Sequence, residues 1–225
     1  MKVVVVYVYP VFGENHDTCA KRFVESYKQC KAEYPHSLVM ISNGGDPTAE
    51  QKSIFNVRHK TLIHDDTGWD IGAYRKAAKE IPCDLMVFFG GTSYLRKCGW
   101  LKRMVESYLT HGEALYGAMG CASNCTHIRT TGFWMNPALL NEYPHPTTSE
   151  RSSRYEFEHG ANSLTSWIFG RGLKALMVTW NGEYEWQDWN GIPNGYRNGD
   201  QSQLVCGDRL TSEIDFTNSK HESKI

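Results

Sequence analysis

The chain has 225 residues, which suits one α/β domain with a substantial core, and its 24 lysines and arginines are balanced by 25 aspartates and glutamates. The formal net charge of -1 leaves no electrostatic footprint for nucleic acid or for an anionic membrane. Aromatic residues make up 12% of the chain, an abundance that fits either additional core mass or the stacking of sugar rings.

The cysteines indicate the cellular environment. All seven are scattered without the paired spacing of a zinc site, and Cys121 and Cys125 are the closest couple, in a predicted loop. The first apolar stretch, residues 2–9, is a strand too short to span a membrane, and no signal peptide precedes it. We therefore expect a cytoplasmic protein with free thiols, no metal or disulfide role for a cysteine, and no membrane span.

Strands and helices alternate along the chain, which predicts an α/β fold with a mainly parallel sheet and helices on both faces. No internal repeat or linker divides it, so we predict one domain over residues 1–210 and a polar C-terminal tail over 211–225. Hydrophobic periodicity and turn residues predict strands at 2–9, 36–42, 59–64, 84–89, 114–119, 127–135 and 173–180, and a loop at 143–154. They predict helices at 18–34 and 163–169, one that ends near 56, one that opens at 68, one that ends at 109 and one that starts at 136.

The stretch from His64 to Met104 organises the rest. Its first helix opens at Gly68 with small residues, which let the backbone approach a neighbour closely. Residues 84–89 are apolar without alternation, as is typical of a strand buried on both faces. This strand ends at a Gly-Gly-Thr-Ser turn over residues 90–93. Because ligands bind at the carboxyl ends of strands in open α/β sheets, this turn is the first candidate for the active centre.

Polar residues gather at three junctions between strands and loops, residues 43–46, 65–70 and 90–93, which would share one crevice if the strands are neighbours. The sequence has neither the GxxxxGK[ST] phosphate loop nor the GxGxxG dinucleotide fingerprint. ATP hydrolysis and hydride transfer therefore lack their usual signatures.

The order of these parts resembles the GT-A nucleotide-sugar glycosyltransferases, in particular small, single-domain, family-two-like members. The segments that carry the resemblance are VVVVYVYP, MISNGGDPT, DDTGWDIGAY and DLMVFFGGTSYL, and CGWLKRM is similar to the Trp-Leu helix after the diphosphate turn. The resemblance covers about residues 2–180. It implies a GT-A, Rossmann-like mixed sheet and a hexosyltransferase-like activity in glycan biosynthesis, with a UDP- or GDP-linked sugar as donor and a glycan or other hydroxyl as acceptor.

The resemblance also implies a donor site. Asp46 or Asp70 would bond the uracil or ribose, although Asp46 could equally form a turn and Asp70 could equally complement a helix dipole. Arg75 could reach a phosphate, but a solvated helix face is the more common place for an arginine. The residues expected to bind the nucleotide or substrate are Tyr7, Tyr9 and Pro10 around the base, together with Asn43, Asp46, Asp66, Trp69, Asp70, Gly90, Gly91, Thr92, Ser93, Trp186, Arg197 and Asp200.

The glycine turn departs from the family. Where the family commonly has Asp-x-Asp to hold Mn²⁺ or Mg²⁺, this sequence has Gly90-Gly91-Thr92-Ser93, whose hydroxyls and amides make a poor site for a hard cation. We therefore expect no metal cofactor and a diphosphate bound by the backbone, the hydroxyls and Lys97, Arg103 or Arg197. Asp65 and Asp66, at the end of a neighbouring strand, leave a metal site open.

Glu156 and Glu158 are the candidates for a catalytic base, because they precede the helix predicted at residue 163, where the family often has an acidic residue. An inverting transfer needs a carboxylate to take the proton of the attacking hydroxyl, and Glu158 is our first choice. An ordinary acidic residue at a helix start is the alternative, and a retaining transfer needs no such base.

The Gly- and Asn-rich segment from 181 to 208 contains several tryptophans and tyrosines. They could be plugs under a long loop, but we favour an acceptor wall and a closing lid to which Trp186, Arg197 and Asp200 contribute. The alternative to an enzyme is a catalytically inactive sugar- or nucleotide-binding module on the same fold. A nucleotidyltransferase would need a GxGTR-like loop after the first strand, and VYPVFGENH does not supply it.

Overall fold

The computed structural model describes residues 1–13, 15–123 and 125–213. Among the helices of this part are α1 (His16–Gln29), α2 (Ala49–Ile54), α3 (Trp69–Glu80), α4 (Trp100–His111), α5 (Pro137–Asn141), α6 (Arg151–His159) and α7 (Leu164–Gly170). The strands are β1 (Val3–Pro10), β2 (Ser37–Asn43), β3 (Lys60–His64), β4 (Leu85–Phe89), β5 (Tyr94–Leu95), β6 (Leu115–Gly117), β7 (Gly120–Cys121), β8 (His127–Ile128), β9 (Gly132–Met135), β10 (Ala175–Val178), β11 (Glu183–Tyr184) and β12 (Cys206–Gly207).

Within these ranges, eight strands form one mixed sheet in the order β11-β10-β6-β9-β4-β1-β2-β3. Strands β4, β1, β2 and β3 are parallel neighbours, whereas β9 lies antiparallel between β4 and β6. Helices flank the sheet, so the predicted fold class is confirmed. The chain leaves β1 on one side to form β2 and β3 and returns on its other side as β4. The carboxyl ends of β1 and β4 therefore meet at a topological switch point, where open α/β sheets bind ligands.

The core lies at the centre of the sheet. Every side chain of residues 3–9 and 85–89 is buried, which confirms two unalternating strands that are covered on both faces. Their large side chains stack on one another, as Phe88 does on Phe133 with ring centroids 4.6 Å apart. Because both strands are packed on all sides, the positions of their last residues are fixed, and so are the starting points of the loops that follow them.

Three predicted boundaries are wrong. The first helix ends at Gln29 instead of residue 34, because Cys30 already has an extended backbone. The strand predicted over 127–135 is divided into β8 and β9. The loop predicted over 143–154 ends at residue 150, because helix α6 begins at Arg151. The sequence signal of this helix is weak, since Phe157 is its one buried residue.

The first residues of the predicted polar tail, 211–213, belong to a helical turn. Residues 209–213 are helical, and Thr211 is fully buried and hydrogen-bonded to the carboxylate of Asp208. The rest of the predicted tail, residues 214–225, lies outside the described residues. In the described part of the chain, no helix combines the length and the apolar character that crossing a bilayer requires. All seven cysteines lie in that part as free thiols.

Candidate active site

A cavity of about 230 Å³ opens at the switch point, between the ends of β1, β2 and β4. We call it the carboxyl-edge cavity. The residues on its wall that the sequence predicted are Pro10, Asn43, Asp66, Trp69, Asp70, Gly90, Gly91 and Thr92, and those that it did not are Phe12, His16, Thr131 and Arg154. Most of the predicted donor site is thus brought together by the ends of neighbouring strands and the start of α3.

A larger groove, of about 910 Å³, lies outside edge strand β3 and along α3. Three of its charged side chains have partners: Lys76 pairs with Glu80 at 2.7 Å, and Arg75 binds the carbonyl oxygens of Tyr143 and His145. The groove is away from the switch point, so we assign the site to the smaller carboxyl-edge cavity. Arg75 therefore neither lies on a solvated face nor reaches the carboxyl-edge cavity, because it holds the loop after α5.

Backbone packing shapes the glycine turn. A Cβ atom at Gly91 would lie 2.8 Å from the Pro10 ring, and the Tyr7 hydroxyl donates to the carbonyl oxygen of Gly91 at 2.8 Å. Ser93 is buried and its hydroxyl donates to the carbonyl oxygen of Thr131, so it is not available to a ligand. Thr92 lies on the cavity wall. The turn therefore brings backbone and one hydroxyl to the cavity, without a carboxylate.

The start of α3 is equally tight. A Cβ atom at Gly72 would lie 1.9 Å from the carbonyl oxygen of Thr67, which confirms the predicted close approach. Gly68 and Trp69 both have positive φ angles, 79° and 60°, and this strained turn points the next residue, Asp70, into the cavity wall.

Asp70 and Arg154 form the charged pair of the cavity. Arg154 Nε lies 3.2 Å from Asp70 Oδ1 and its Nη2 donates to Oδ2 at 3.3 Å. Oδ1 is buried and has no aligned hydrogen-bond donor, so the Nε contact is an ion pair without hydrogen-bond geometry. Burial raises the pKa of Asp70, an effect that the Arg154 charge opposes and the Glu158 charge reinforces. A buried carboxylate with one free lone-pair position is suited to receive a donor group of a ligand.

Asn43, His64 and Asp66 support the cavity from below. His64 Nδ1 lies 2.7 Å from Asn43 Oδ1, and the Asn43 amide donates to the Asp66 carboxylate. Burial lowers the pKa of His64, which favours the neutral imidazole. The network orients the side chains of Asn43 and Asp66 on the cavity wall.

Glu158 lies next to the cavity, ahead of α7 as the sequence indicated, but in the last turn of α6 and not at a helix start. It is nearly buried, accepts a hydrogen bond from the Thr130 N–H at 3.3 Å and lies 3.5 Å from His159 Nε2. Thr131, the next residue after Thr130, lines the cavity. Glu156 faces another groove and accepts from the Asn162 N–H at 3.5 Å. The geometry thus separates the two candidate bases and leaves Glu158 at the site.

The chain matches no protein-family model, and no curated protein matches its sequence. Its structure is similar to that of mouse xyloside xylosyltransferase 1, with a TM-score of 0.52 at 8% identity over 79% of this chain and 85% of that one. It is also similar to the galactosyltransferase LgtC in complex with donor and acceptor sugar analogues, with a TM-score of 0.50 at 10% identity over 73% and 70% of the two chains. The chain adopts the GT-A fold.

A third solved structure has the same fold and another reaction in its name. This is CMP:2-keto-3-deoxy-manno-octonic acid synthetase in complex with CTP, with a TM-score of 0.51 at 8% identity over 78% of this chain and 88% of that one. Likeness at such identities establishes the GT-A fold alone. The reaction has to be argued from the site.

The GT-A fold implies a divalent cation at the turn after β4, and the residues of this chain do not fit one. The turn has no carboxylate, and a side chain at residue 91 would meet Pro10. The Asp66 carboxylate is bound by the Asn43 amide, while Asp65 is 79% exposed and accepts from the Thr67 N–H. Among the described residues, neither aspartate belongs to a group of three side chains close enough to share an ion.

Several residues predicted from the GT-A resemblance lie elsewhere. The rings of Tyr7 and Tyr9 are fully buried against Phe23 and Phe55, so they cannot frame a base. Asp46 is exposed and pairs with Lys52, as a turn residue would.

The basic residues proposed for the diphosphate are also bound away from the cavity. Lys97 lies over the ring of Trp180, Arg103 binds Glu183 and the Thr179 carbonyl oxygen, and Arg197 lies over the ring of Tyr196. Arg154, which was not predicted from the sequence, is the arginine on the cavity wall. The sequence could have indicated Arg154 through its position four residues before Glu158, because residues four apart lie on the same face of a helix. This spacing is informative only if α6 is predicted as a helix.

The aromatic segment is a plug and not a lid. Trp189 and Tyr196 are buried, and the Trp189 ring packs so closely on Gly120 that a Cβ atom there would lie 2.7 Å away. Trp186 and Asp200 are exposed and do not line the carboxyl-edge cavity. Packing of this kind satisfies the apolar rings without any ligand.

Proposed function

We propose that the protein transfers a sugar from a nucleotide diphosphate sugar, UDP- or GDP-linked, to a glycan or other hydroxyl acceptor. One observation carries this proposal: the largely buried Asp70 carboxylate and its partner Arg154 line a cavity at the switch point of a GT-A sheet, and Glu158 lies beside it. The free thiols support the further proposal that the protein works in the reducing cytoplasm.

Two exposed aromatic rings are suited to the nucleotide base. Phe12 is 70% exposed and Trp69 is 40% exposed, and both lie on the rim of the cavity. An exposed ring gains contact area when a flat base covers it. Asn43 and Asp66 lie at the same cavity and offer hydrogen-bond groups for the ribose hydroxyls.

The diphosphate is assigned to Arg154 and the glycine turn. A guanidinium binds phosphate oxygens in a bidentate manner, and the Gly90–Thr92 backbone allows close approach. Because the turn offers no carboxylate, we propose that the positive charge at the diphosphate comes from Arg154 and not from Mn²⁺ or Mg²⁺.

The transfer needs one base. The acceptor oxygen forms a bond to the anomeric carbon while the bond from that carbon to the diphosphate oxygen breaks, and the nucleoside diphosphate leaves with the electron pair. The Glu158 carboxylate takes the acceptor proton as the hydroxyl attacks, so the configuration inverts. The low exposure of Glu158 and its fixed hydrogen bond to Thr130 support this role.

Binding is tested with a panel of UDP-, GDP- and CMP-linked sugars in thermal-shift and calorimetric measurements. We expect one UDP- or GDP-linked sugar to raise the melting temperature without added Mn²⁺ or Mg²⁺. No shift with any donor would count against donor binding, and a response only to CTP or a CMP-linked sugar would favour a nucleotidyltransferase.

Turnover is tested by the release of nucleoside diphosphate. Glu158→Gln should lower it by about 10²- to 10⁴-fold with donor affinity nearly unchanged, since a general base contributes about this much. Glu156→Gln, in the same helix but outside the cavity, is the matched control and should keep wild-type turnover. Full activity in Glu158→Gln would remove it as the base.

An inactive binding module is the second candidate, favoured by the glycine turn that stands where paired carboxylates are common. It predicts that a donor binds and that no nucleotide is released with any acceptor. Donor binding by wild type and Glu158→Gln, with release by neither, would establish it over the transferase.

A further inference from the structure

A second cluster of reactive side chains lies behind Glu158. Cys125, just before β8, His127 in β8 and His159 at the end of α6 come together where the helix packs on this short strand. We call this group the Cys-His corner. It lines none of the cavities described above and takes no part in the proposed transfer.

The three side chains are arranged as metal ligands are. Cys125 Sγ lies 3.4 Å from His127 Nδ1 and 3.9 Å from His159 Nδ1, and one ligand atom from each residue lies within 4.8 Å of the others. A tetrahedral zinc ion with Zn–S of about 2.3 Å and Zn–N of about 2.0 Å separates sulfur and nitrogen by about 3.6 Å. The two sulfur-to-nitrogen distances are therefore within a few tenths of an ångström of those in a tetrahedral zinc site.

The two histidines have partners that orient them. His127 Nδ1 lies 3.1 Å from the carbonyl oxygen of Cys125, and His159 Nε2 lies 3.5 Å from Glu158 Oε2. A carboxylate on the far nitrogen is a usual support of a metal-bound histidine, and Glu158 has this position at His159. His159 thus has its Nδ1 on the side of the cysteine and its Nε2 on the side of the candidate base.

One atom of the corner lacks a partner. His127 is 4% exposed, and its Nε2 is buried without a hydrogen bond. Nδ1 is the nitrogen that faces Cys125 Sγ, so metal binding through Nδ1 would place the ring proton on Nε2 and fix the tautomer of the ring.

From this geometry we propose that Cys125, His127 and His159 bind one zinc ion. One thiolate and two neutral imidazoles favour zinc over magnesium or calcium, which prefer oxygen ligands. Binding exchanges the thiol proton of Cys125 for the metal, so one proton is released to solvent. Three protein ligands leave the fourth position to water.

The zinc ion would fix the end of α6. His159 would be held between the ion and the Glu158 carboxylate, and Cys125 and His127 would be tied to the helix across the β7–β8 hairpin. The site does not depend on sugar transfer, and its test reads metal binding alone.

The full chain is stripped with a chelator and titrated with Co²⁺, which replaces zinc and absorbs visible light in a tetrahedral thiolate site. We expect one equivalent to bind, with a thiolate-to-cobalt charge-transfer band that one equivalent of Zn²⁺ abolishes. Cys125→Ser should lose that band, and His127→Gln should lose the tetrahedral absorption. Cys98→Ser, which changes an exposed cysteine outside the corner, is the matched control and should keep both.

A second measurement covers variants that fold poorly. One equivalent of Zn²⁺ should raise the melting temperature of the stripped wild-type protein and of Cys98→Ser. The proposal is overturned if folded wild-type protein binds no Co²⁺ and gains no thermal stability with Zn²⁺. It is overturned equally if folded Cys125→Ser keeps the charge-transfer band.

Discussion

The carboxyl-edge cavity and the Cys-His corner are neighbours along α6, yet different parts of the chain form them. The cavity is shaped mainly by backbone: the glycine turn against Pro10, and Gly72 against the Thr67 carbonyl oxygen. The corner is shaped by side chains that meet across a hairpin and a helix end. A methyl group added to a cavity glycine should therefore lower stability and donor binding. In the corner, replacing a ligand side chain by one of similar size should be enough to abolish metal binding.

The largest expected effect on stability tests the backbone side of this comparison. Gly72→Ala places a Cβ atom 1.9 Å from a backbone oxygen, and neither helix α3 nor the strained turn before it can yield easily. We expect a loss of about 3 kcal/mol in the free energy of unfolding, measured with urea, and weaker donor binding.

Gly170→Ala is the matched control for this glycine. Gly170 is also helical, at the end of α7, and a methyl group added to it would meet no neighbouring atom within 4 Å beyond the helix's own backbone. Its stability should change by less than about 1 kcal/mol. Equal stability of the two variants would contradict the view that backbone contact shapes the cavity.

The next effect concerns the charged pair, where a side chain from α6 enters the backbone-shaped cavity. Arg154→Gln should weaken donor binding by about tenfold or more, because a hydrogen bond to a charged group contributes about 1.5–3 kcal/mol. Arg151→Gln, one turn earlier and exposed, should bind the donor as the wild type does. Calorimetry with the donor found in the panel measures both, and unchanged affinity in Arg154→Gln would remove it from the diphosphate site.

The same pair gives a smaller effect on stability. Asp70→Asn removes a carboxylate whose pKa is raised by burial, so the free energy of unfolding at pH 7 should rise while donor binding falls. A raised pKa means that the native state holds the proton longer than the unfolded chain. Wild-type stability should therefore fall as pH rises above about 3.9, the ordinary value for Asp, and through the raised value.

The pH dependence of unfolding measures this effect. Asp70→Asn should lose the part of the fall that is due to this carboxyl group. If Asp70→Asn is less stable than the wild type at neutral pH, the pair of Asp70 and Arg154 stabilises the fold. The cost of burying the Asp70 carboxylate would then be smaller than we infer.

The difference between the regions also explains what the sequence could predict. Buried strands β1 and β4 leave a strong local signal, an apolar run that ends at Pro10 or Gly90, and the switch point follows from their order. The end of β2, the start of α3 and the turn after β4 bring Asn43, Asp70 and Thr92 to one cavity, as the polar junctions in the sequence predicted.

The Cys-His corner and Arg154 leave no such signal. The corner joins residues 125, 127 and 159 through a hairpin and a helix, and the spacing of the cysteines alone gives no zinc pattern. Helix α6 buries only Phe157 along its length, so its sequence resembles a loop. The prediction that Tyr7 and Tyr9 surround the base is wrong for another reason. The sequence of a buried strand does not show whether a tyrosine ring packs in the core or contacts a ligand.

The smallest predicted effect concerns His64, the polar side chain under the backbone-shaped cavity. Burial lowers the pKa of His64, and the charge of Lys76 lowers it further. The charges of Asp65, Asp66 and Glu80 raise it, but they do not outweigh burial. The unfolded chain therefore takes up the proton first, and wild-type stability should fall as pH drops below about 6.5 toward the lowered value. In His64→Gln the difference in the free energy of unfolding between pH 7.5 and pH 5.5 should shrink by less than about 1 kcal/mol, on the order of a modest pKa shift. If this difference is the same in His64→Gln as in the wild type, His64 takes up its proton in the folded protein as readily as in the unfolded chain. The hydrogen bonds of Asn43 and Asp66 would then tolerate a charge beneath the cavity.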